Sequence, residues 1–124
     1  MVPVRSADAV ARAYPRPEGL ARLKSEEPVK AYVFFDEGEA NRQVIARFFF
    51  PAGAAGVRED PATGSACANL GGWFGHLRPD ADVERVISQG DAVARPSTLH
   101  LAVKGGAIFV GGEVIELGRG VIEL

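Results

Sequence analysis

Residues 58–74, "REDPATGSACANLGGWF", decide how the rest of the sequence is interpreted. Two acids and a proline lead into Thr-Gly-Ser, and a segment rich in small residues follows. Pro61 disfavours helix at Asp60, and Gly64 permits a tight turn before a helix begins. The pattern therefore predicts a loop followed by an α-helix over about 63–77.

The predicted start of this helix suits a negatively charged group. The first backbone N–H groups of a helix have no partner within it and carry a partial positive charge, which favours a carboxylate or a phosphate. Thr63 and Ser65 add hydroxyl groups there, and Glu59 and Asp60 add carboxylates that could exchange a proton with a bound anion. A helix cap formed by Thr63 or Ser65, with the acids favouring the positive helix end, explains the same residues without a ligand. The local pattern leaves both interpretations open.

Glycines inside the predicted helix indicate tight packing. Gly71, Gly72 and Gly75 each cost about 1 kcal/mol relative to alanine in a helix interior. A helix that keeps them usually needs a close approach of another backbone. We therefore expect this helix to lie in the middle of the fold, against a sheet or another helix.

The remaining sequence predicts short helices and strands around this helix. Two short helices are expected near the start, with Ser6 capping the first and Pro17 opening the second. About six or seven mostly antiparallel strands around one main helix make an α+β fold. Residues 52–60, "AGAAGVRED", are predicted to be loop. Strands are predicted at 2–6, 29–37, 43–51, 84–90, 97–105, 107–112 and 113–117.

Size and composition fit one soluble globular domain spanning residues 1–124. The chain is 47% hydrophobic and 24% charged, which is ordinary for such domains. A formal net charge of -2 argues against nucleic acid or an anionic membrane surface as a partner. No uncharged apolar segment approaches the ~20 residues that a membrane span needs, and the start "MVPVRSADAV" lacks a signal-peptide pattern. A cytoplasmic protein is expected.

The cysteine and the histidines suggest no metal site. The single cysteine, Cys67, excludes an intramolecular disulfide and a multi-cysteine zinc site. We expect Cys67 to be a small buried helix residue and His76 to interact with the negative end of the helix. His100 alternates with Leu99 and Leu101, so a solvent-facing or hydrogen-bonded histidine is expected.

The sequence resembles the PhzF-like family, the phenazine-biosynthesis isomerases related in fold to diaminopimelate epimerase. The family's pattern is an Arg-x-Phe strand, a proline, a glycine-containing loop and then Glu-Asp-Pro-Ala-Thr-Gly-Ser-Ala before a helix. The triplets "SQG" (88–90) and "VGG" (110–112), with "ARPS" (94–97) and the opening "VPVRS", also resemble parts of that family. The counterparts of the family's pattern in this chain are Arg47, Phe49, Pro51, Gly56 and the unbroken run 59–66.

The resemblance implies a two-lobed fold, in which each half is an antiparallel β-sheet wrapped around one central helix. Family members shift a proton within a small carboxylic acid in the cleft between the halves, without metal or cofactor. By this resemblance Asp60 and Ser65 are catalytic, with Asp60 positioning or protonating the substrate. The substrate's carboxylate would be held at Gly64 and Ser65, Thr63 would support the loop, and Glu59 is assigned to the substrate-binding loop.

The resemblance covers the C-terminal half of the family's architecture. The family's proton-transferring glutamate belongs to the other half, and no segment before Asp60 resembles its motif. Transfer across a cleft needs groups on both sides, and a half-domain would expose an apolar surface. We therefore expect a homodimer, or a complex with a complementary N-terminal-half subunit of a split enzyme. A catalytically incomplete domain that binds a small carboxylate or serves in assembly is the alternative.

Arg47 lies on a predicted strand shortly before two acids. We expect its guanidinium to pair with Glu59 or with Asp60. An ordinary ion pair at the surface explains the same arginine equally well.

Overall fold

The computed structural model describes residues 1–23, 26 and 28–123. Among them, the helices are α1 (Ala7–Ala11), α2 (Pro17–Ala21) and α3 (Gly64–Leu77). The strands are β1 (Val2–Pro3), β2 (Ala31–Asp36), β3 (Gln43–Pro51), β4 (Val57–Asp60), β5 (Val83–Gln89), β6 (Ser97–Lys104) and β7 (Ala107–Gly112).

The strands form one mixed sheet in the order β1-β2-β3-β5-β6-β7, with β4 also paired to β3. The pairs β1·β2 and β3·β5 are parallel. The pairs β2·β3, β3·β4, β5·β6 and β6·β7 are antiparallel. Most strand pairs are therefore antiparallel, as the sequence predicts.

Strand β3 pairs with two strands along one edge. Its first half lies beside β5 and its second half beside β4, both on the edge opposite β2. In this arrangement Asp60 pairs with Phe48, and Gln89 pairs with Ala46. The last residues of β4 and β5 thus become neighbours, although they are distant in the sequence.

Helix α3 packs on one face of the sheet and completes the larger core. Its residues Ala66, Cys67, Leu70 and Phe74 are buried together with side chains from β2, β3, β5 and β6. Helix α1 and Ala13 lie against the other face, where a smaller cluster contains residues of β2 and β3. The predicted α+β fold with a central helix is confirmed.

The close approach expected at the helix glycines is confirmed at one position. A Cβ atom added to Gly71 would lie 2.7 Å from Ile108 Cγ2 and 3.0 Å from Leu101 Cδ1. At Gly72 and Gly75 the nearest side-chain atoms are 3.8 and 3.9 Å away, which is ordinary contact. Only Gly71 among the three therefore lets the sheet approach the helix backbone.

Several predicted details are confirmed and others are wrong. Ser6 caps α1 by accepting from the Ala9 N–H at 3.2 Å, and Pro17 begins α2. The predicted loop 52–60 contains strand β4, because the edge of β3 beyond β5 is free to pair with it. Residues 113–123, which include a predicted strand, form no helix or strand in the described chain, because no neighbouring strand pairs with them.

Candidate active site

Residues 59–63, called the acid loop here, and the start of α3 form one hydrogen-bonded unit. Asp60 ends β4, and Thr63 occupies the N-cap position of α3. The Thr63 hydroxyl donates to Asp60 Oδ2 at 2.5 Å and makes no side-chain cap to the helix. Ser65 lies within the first helical turn and is exposed. The capping role considered for the two hydroxyls is therefore wrong for Thr63, whose hydroxyl is directed towards the carboxylate instead.

A buried glutamine holds this unit from strand β5. Gln89 is 1% exposed, and its Nε2 donates to the backbone oxygen of Asp60 at 2.8 Å and to Thr63 Oγ1 at 3.1 Å. Its Oε1 accepts from the Tyr32 hydroxyl at 3.2 Å. Burial, with a smaller contribution from Cys67, raises the pKa of Tyr32 above its ordinary value of 10.0. The phenol therefore keeps its proton for this hydrogen bond.

The residue after Gln89 must be a glycine for the loop to pack. Gly90 has a φ of 93°, in the left-handed region that glycine tolerates best. An added Cβ would lie 2.3 Å from the carbonyl oxygen of Arg95 and 2.7 Å from that of Pro61. The backbone before α3 thus rests directly on the end of β5.

The helix start offers backbone donors. The first helical hydrogen bond runs from the Cys67 N–H to the Thr63 carbonyl at 3.0 Å. The N–H groups of Gly64, Ser65 and Ala66 precede it and have no partner within the helix. Gly64 is the first helical residue and does not form the predicted tight turn, and an added Cβ would meet nothing within 4 Å. Gly64 therefore lies beside open space.

A cleft of about 430 Å³ is lined in part by Ser65 and Ala66, whereas Gly64 lines a separate cavity of about 650 Å³ beside the start of β6. The volume of the cleft is in the range of small-molecule sites, which are commonly about 300–1,000 Å³. Asp60 is not among the lining residues and is connected to the cleft through the hydroxyl of Thr63, which is one of them. The cleft is lined by Met1, Lys30, Tyr32, Phe48, Thr63, Ser65, Ala66 and Asn69. This lining combines hydroxyls, an amide and a lysine with two aromatic rings.

Glu59, which the resemblance assigns to the substrate-binding loop, is bound by an arginine in the structure. Its carboxylate forms a two-pronged ion pair with Arg47, with Nε–Oε1 at 3.1 Å and Nη2–Oε2 at 2.6 Å. The Glu59 side chain is 7% exposed, and Arg47 also donates to the carbonyls of Ala11 and Ala13 at 2.8 Å each. The pair therefore fixes the end of α1 on the sheet. Since side chains alternate along β4, Glu59 and Asp60 point to opposite faces of the sheet, and the Glu59 carboxylate is occupied by Arg47.

The cysteine and the histidines lie apart from this cleft. Cys67 is fully buried, and burial raises the pKa of its thiol to about 11, so it stays protonated at neutral pH. His76 is exposed in the last turn of α3, at the opposite end from Asp60. His100 is exposed on the face of β6 that points away from α3. The buried cysteine and the solvent-facing His100 are thus confirmed.

The family comparison identifies the chain. The family model described as "Phenazine biosynthesis-like protein" matches residues 1–116. The chain belongs to this family. A curated relative from Pasteurella multocida (strain Pm70), named "Uncharacterized isomerase", is 43% identical over 90 residues. This match covers 70% of the chain and 28% of the relative, so the chain spans well under half of that relative's length.

Membership of the phenazine biosynthesis-like family agrees with the quoted Glu-Asp-Pro-Ala-Thr-Gly-Ser-Ala run, which forms the end of β4 and the start of α3. Within the residues that the structure describes, no group of three or more His, Cys, Asp or Glu side chains could hold a metal ion. In the same residues, no helix has the length and apolar character to cross a lipid bilayer.

The sequence interpretation missed several residues at this site. Gln89 and Tyr32 support the acid loop, while Lys30, Phe48 and Asn69 line the cleft. Asn69 lies one helical turn after Ser65, so helical spacing could have placed it beside the cleft. The triplet "SQG" (88–90), which resembles part of the family, was the available signal for Gln89, because a buried carboxamide requires partners.

Proposed function

We propose that this cleft is one side of an isomerase site that moves a proton within a small carboxylic acid, without metal or cofactor. The N–H groups and hydroxyl at Gly64 and Ser65 hold the substrate carboxylate, and Asp60 takes or returns the proton. The observation that carries the proposal is the Asp60 carboxylate, anchored at 2.5 Å by Thr63 beside the start of α3. Family membership and the name of the relative support an isomerase.

The chemistry follows from where charge develops. Breaking a C–H bond next to a carboxylate moves electrons towards the carboxylate oxygens, so negative charge grows there. The partial positive charge at the start of α3 stabilises that developing charge. In an acid that carries a carbon–carbon double bond next to that carbon, Asp60 holds the proton meanwhile and returns it to the far end of the double bond, which moves the bond and completes an isomerisation without net oxidation.

The other side of the cleft is proposed to come from a second chain. Among the described residues that line the cleft, none carries a carboxylate or an imidazole. A proton shift between two positions of a substrate is faster when groups on both sides take part. We infer a homodimer or a complex with a complementary subunit. Sedimentation of the protein as a monomer, with and without small carboxylates, would contradict this part of the proposal.

Carboxylate binding can be tested by titrating ¹⁵N-labelled protein with sodium acetate. We expect the amide signals of Gly64, Ser65 and Ala66 to shift, and Ser65→Ala to weaken the response because it removes a hydroxyl donor. Ser6→Ala is the matched control, since Ser6 also lies at a helix start but does not line the cleft, and its hydroxyl accepts from the Ala9 N–H. Shifts elsewhere on the surface, with none at the start of α3, would overturn the proposed carboxylate site.

Proton transfer can be tested by deuterium uptake from D₂O into candidate hydroxy and amino acids. The double variant Asp60→Asn with Ser65→Ala should abolish uptake, whereas Asp91→Asn, an exposed aspartate in the turn after β5, should leave it unchanged. Uptake that proceeds at the same rate in the double variant would show that the assigned residues are wrong.

A second candidate function is binding of a small carboxylate without turnover. It is favoured by the cleft lining, whose described polar groups are hydroxyls, an amide and a lysine. A helix start with such groups binds an anion without needing a proton-transfer group. Acetate-dependent shifts at Ser65, together with no deuterium uptake in any candidate acid, would favour this function over isomerisation.

A further inference from the structure

We propose that Gln89 is a positioning residue that fixes the direction of the Thr63 hydroxyl and thereby presents Oδ1 of Asp60 to the substrate. The inference rests on the proposed function, in which Asp60 exchanges the proton. It adds a residue on strand β5, outside the loop that carries the acid. It also assigns different tasks to the two oxygens of one carboxylate.

The direction of each hydrogen bond in this group follows from its chemistry. A carboxamide oxygen can only accept and its nitrogen can only donate. Because the Tyr32 hydroxyl donates to Gln89 Oε1 at 3.2 Å, the Gln89 nitrogen is turned towards the acid loop. Its two hydrogens go to the Asp60 carbonyl at 2.8 Å and to Thr63 Oγ1 at 3.1 Å.

Thr63 transmits this direction to the carboxylate. A threonine hydroxyl has one proton, and the Thr63 oxygen already accepts from Gln89. Its proton is therefore given to Asp60 Oδ2, at 2.5 Å. Within residues 1–23, 26 and 28–123, Oδ1 of Asp60 receives no hydrogen bond from the protein. The oxygen left for the substrate is thus Oδ1.

The burial of Gln89 supports a role beyond filling space. The side chain is 1% exposed, and it lies on the face of β5 that also carries the apolar residues Val83 and Ile87. A buried amide without partners is unfavourable, whereas an apolar side chain would fill the same volume without needing partners. All hydrogen-bonding atoms of this carboxamide are used, and two of its three bonds go to the acid loop.

The test is the ¹³Cγ signal of Asp60 in labelled protein, assigned by its disappearance in Asp60→Asn. Gln89→Met removes both donors, and we expect the Asp60 signal to move. Gln89→Glu keeps the shape but accepts the Thr63 proton itself, so it should move the signal as well. The ¹³Cγ signal of Asp36, whose carboxylate is bound by Arg85, should stay in place and reports an intact fold.

A matched pair at Thr63 separates positioning from general damage to the fold. Thr63→Val removes the hydroxyl at nearly constant volume and should shift the Asp60 signal as Gln89→Met does. Thr63→Ser keeps the hydroxyl and should restore the wild-type signal. Tyr32→Phe leaves the Gln89 donors in place, so its effect should be smaller.

The outcomes separate this inference from the proposed function. An unchanged Asp60 ¹³Cγ signal in folded Gln89→Glu and Gln89→Met would overturn the positioning role. If Gln89→Met does not fold, the Asp60 ¹³Cγ signal in Gln89→Glu, Thr63→Val and Thr63→Ser decides whether Gln89 has the positioning role. Wild-type protein whose Ser65 amide does not respond to sodium acetate would overturn the carboxylate site, while the Asp60 signal would still report on Gln89.

Discussion

The two ends of helix α3 carry polar clusters of opposite character. At the C-terminal end, Arg85 has a side chain that is 0% exposed. It binds Asp36 at 2.8 and 3.2 Å, Glu39 at 2.8 and 3.2 Å, and the Glu84 carbonyl at 2.8 Å. Its guanidinium also lies over the Phe74 ring, 5.1 Å from the centroid. In this Arg85 cluster, formed with Asp36 and Glu39, the guanidinium is therefore bound by groups of the protein itself.

At the N-terminal end, the anion is held by neutral groups. Thr63 and Gln89 orient Asp60 through a hydroxyl and a carboxamide, and no described cation forms a salt bridge with Asp60. The carboxylate charge is therefore not cancelled by a partner, and the adjacent helix N–H groups remain available. A cation enclosed by carboxylates stabilises the fold, whereas under the proposed function an acid held by neutral donors is left for a ligand.

The largest expected effect is the loss of stability when Arg85, at the C-terminal end of α3, is replaced. Arg85→Met leaves Asp36 and Glu39 without their cation and removes the hydrogen bonds of a side chain that is 0% exposed, so we expect a loss of about 3 kcal/mol, the upper end of the usual range for single substitutions. Urea unfolding should show this loss, while the acetate response at Ser65 persists in the folded fraction. Arg119→Met, which breaks an exposed pair with Glu116, is the control and should change stability little. Equal losses of stability in the two variants would show that the Arg85 cluster contributes no more to stability than an exposed ion pair.

Gly90→Ala should disturb the N-terminal end of α3. The alanine Cβ would meet the Arg95 and Pro61 carbonyl oxygens at 2.3 and 2.7 Å, at a φ of 93°. We expect a loss of about 1–3 kcal/mol from strain and crowding, and a weaker acetate response because the loop before α3 shifts. Gly106→Ala shares a positive φ of 80° but meets nothing within 4 Å, so it should cost less and leave acetate binding intact. A normal acetate response in Gly90→Ala would show that packing at Gly90 does not affect carboxylate binding at the start of α3.

The Arg85 cluster should also make the stability of the fold depend on acid. Hydrogen bonds from Arg85 and then Arg78 lower the pKa of Glu39 to about 2, from an ordinary value of 4.5. Glu39 therefore adds stability above the unfolded pKa, and this stability is lost as the pH falls from 4.5 to about 2. Glu39→Gln should flatten that part of the stability curve, measured by urea unfolding. In the Arg85→Met background the same substitution should flatten it less, and an equal change in both backgrounds would disprove the coupling.

Local patterns in the sequence predicted the elements on both sides of the site, but not the pairing that assembles them. Helix α3 and the β2–β3 hairpin have clear helical or alternating patterns over many residues. Strand β4 has four residues, "VRED", with one apolar side chain, so its pattern is too short to recognise. It forms a strand because the part of the β3 edge beyond β5 is available to pair with it.

The same limit applies to the supporting residues of the site. The motif run predicted Asp60, Thr63 and Ser65 near one another, since they are close in the sequence. Gln89 reaches Asp60 only because β4 and β5 share an edge of β3, which no local pattern encodes. Glu59 was assigned to the site by proximity in sequence, and the alternation of β4 turns it to Arg47 on the other face.

The smallest expected effect concerns Cys67, which follows directly after Gly64, Ser65 and Ala66 at the start of α3. Burial raises the pKa of its thiol to about 11, so little thiolate exists at pH 8 and a thiol reagent must wait for the protein to open. We expect slow labelling by 5,5′-dithiobis(2-nitrobenzoate) in native protein and rapid labelling in urea. Cys67→Ala should lower stability by about 1 kcal/mol and leave the acetate response at Ser65 unchanged. Fast native labelling that acetate suppresses would instead make Cys67 part of the site and reduce the contrast between the two ends of α3.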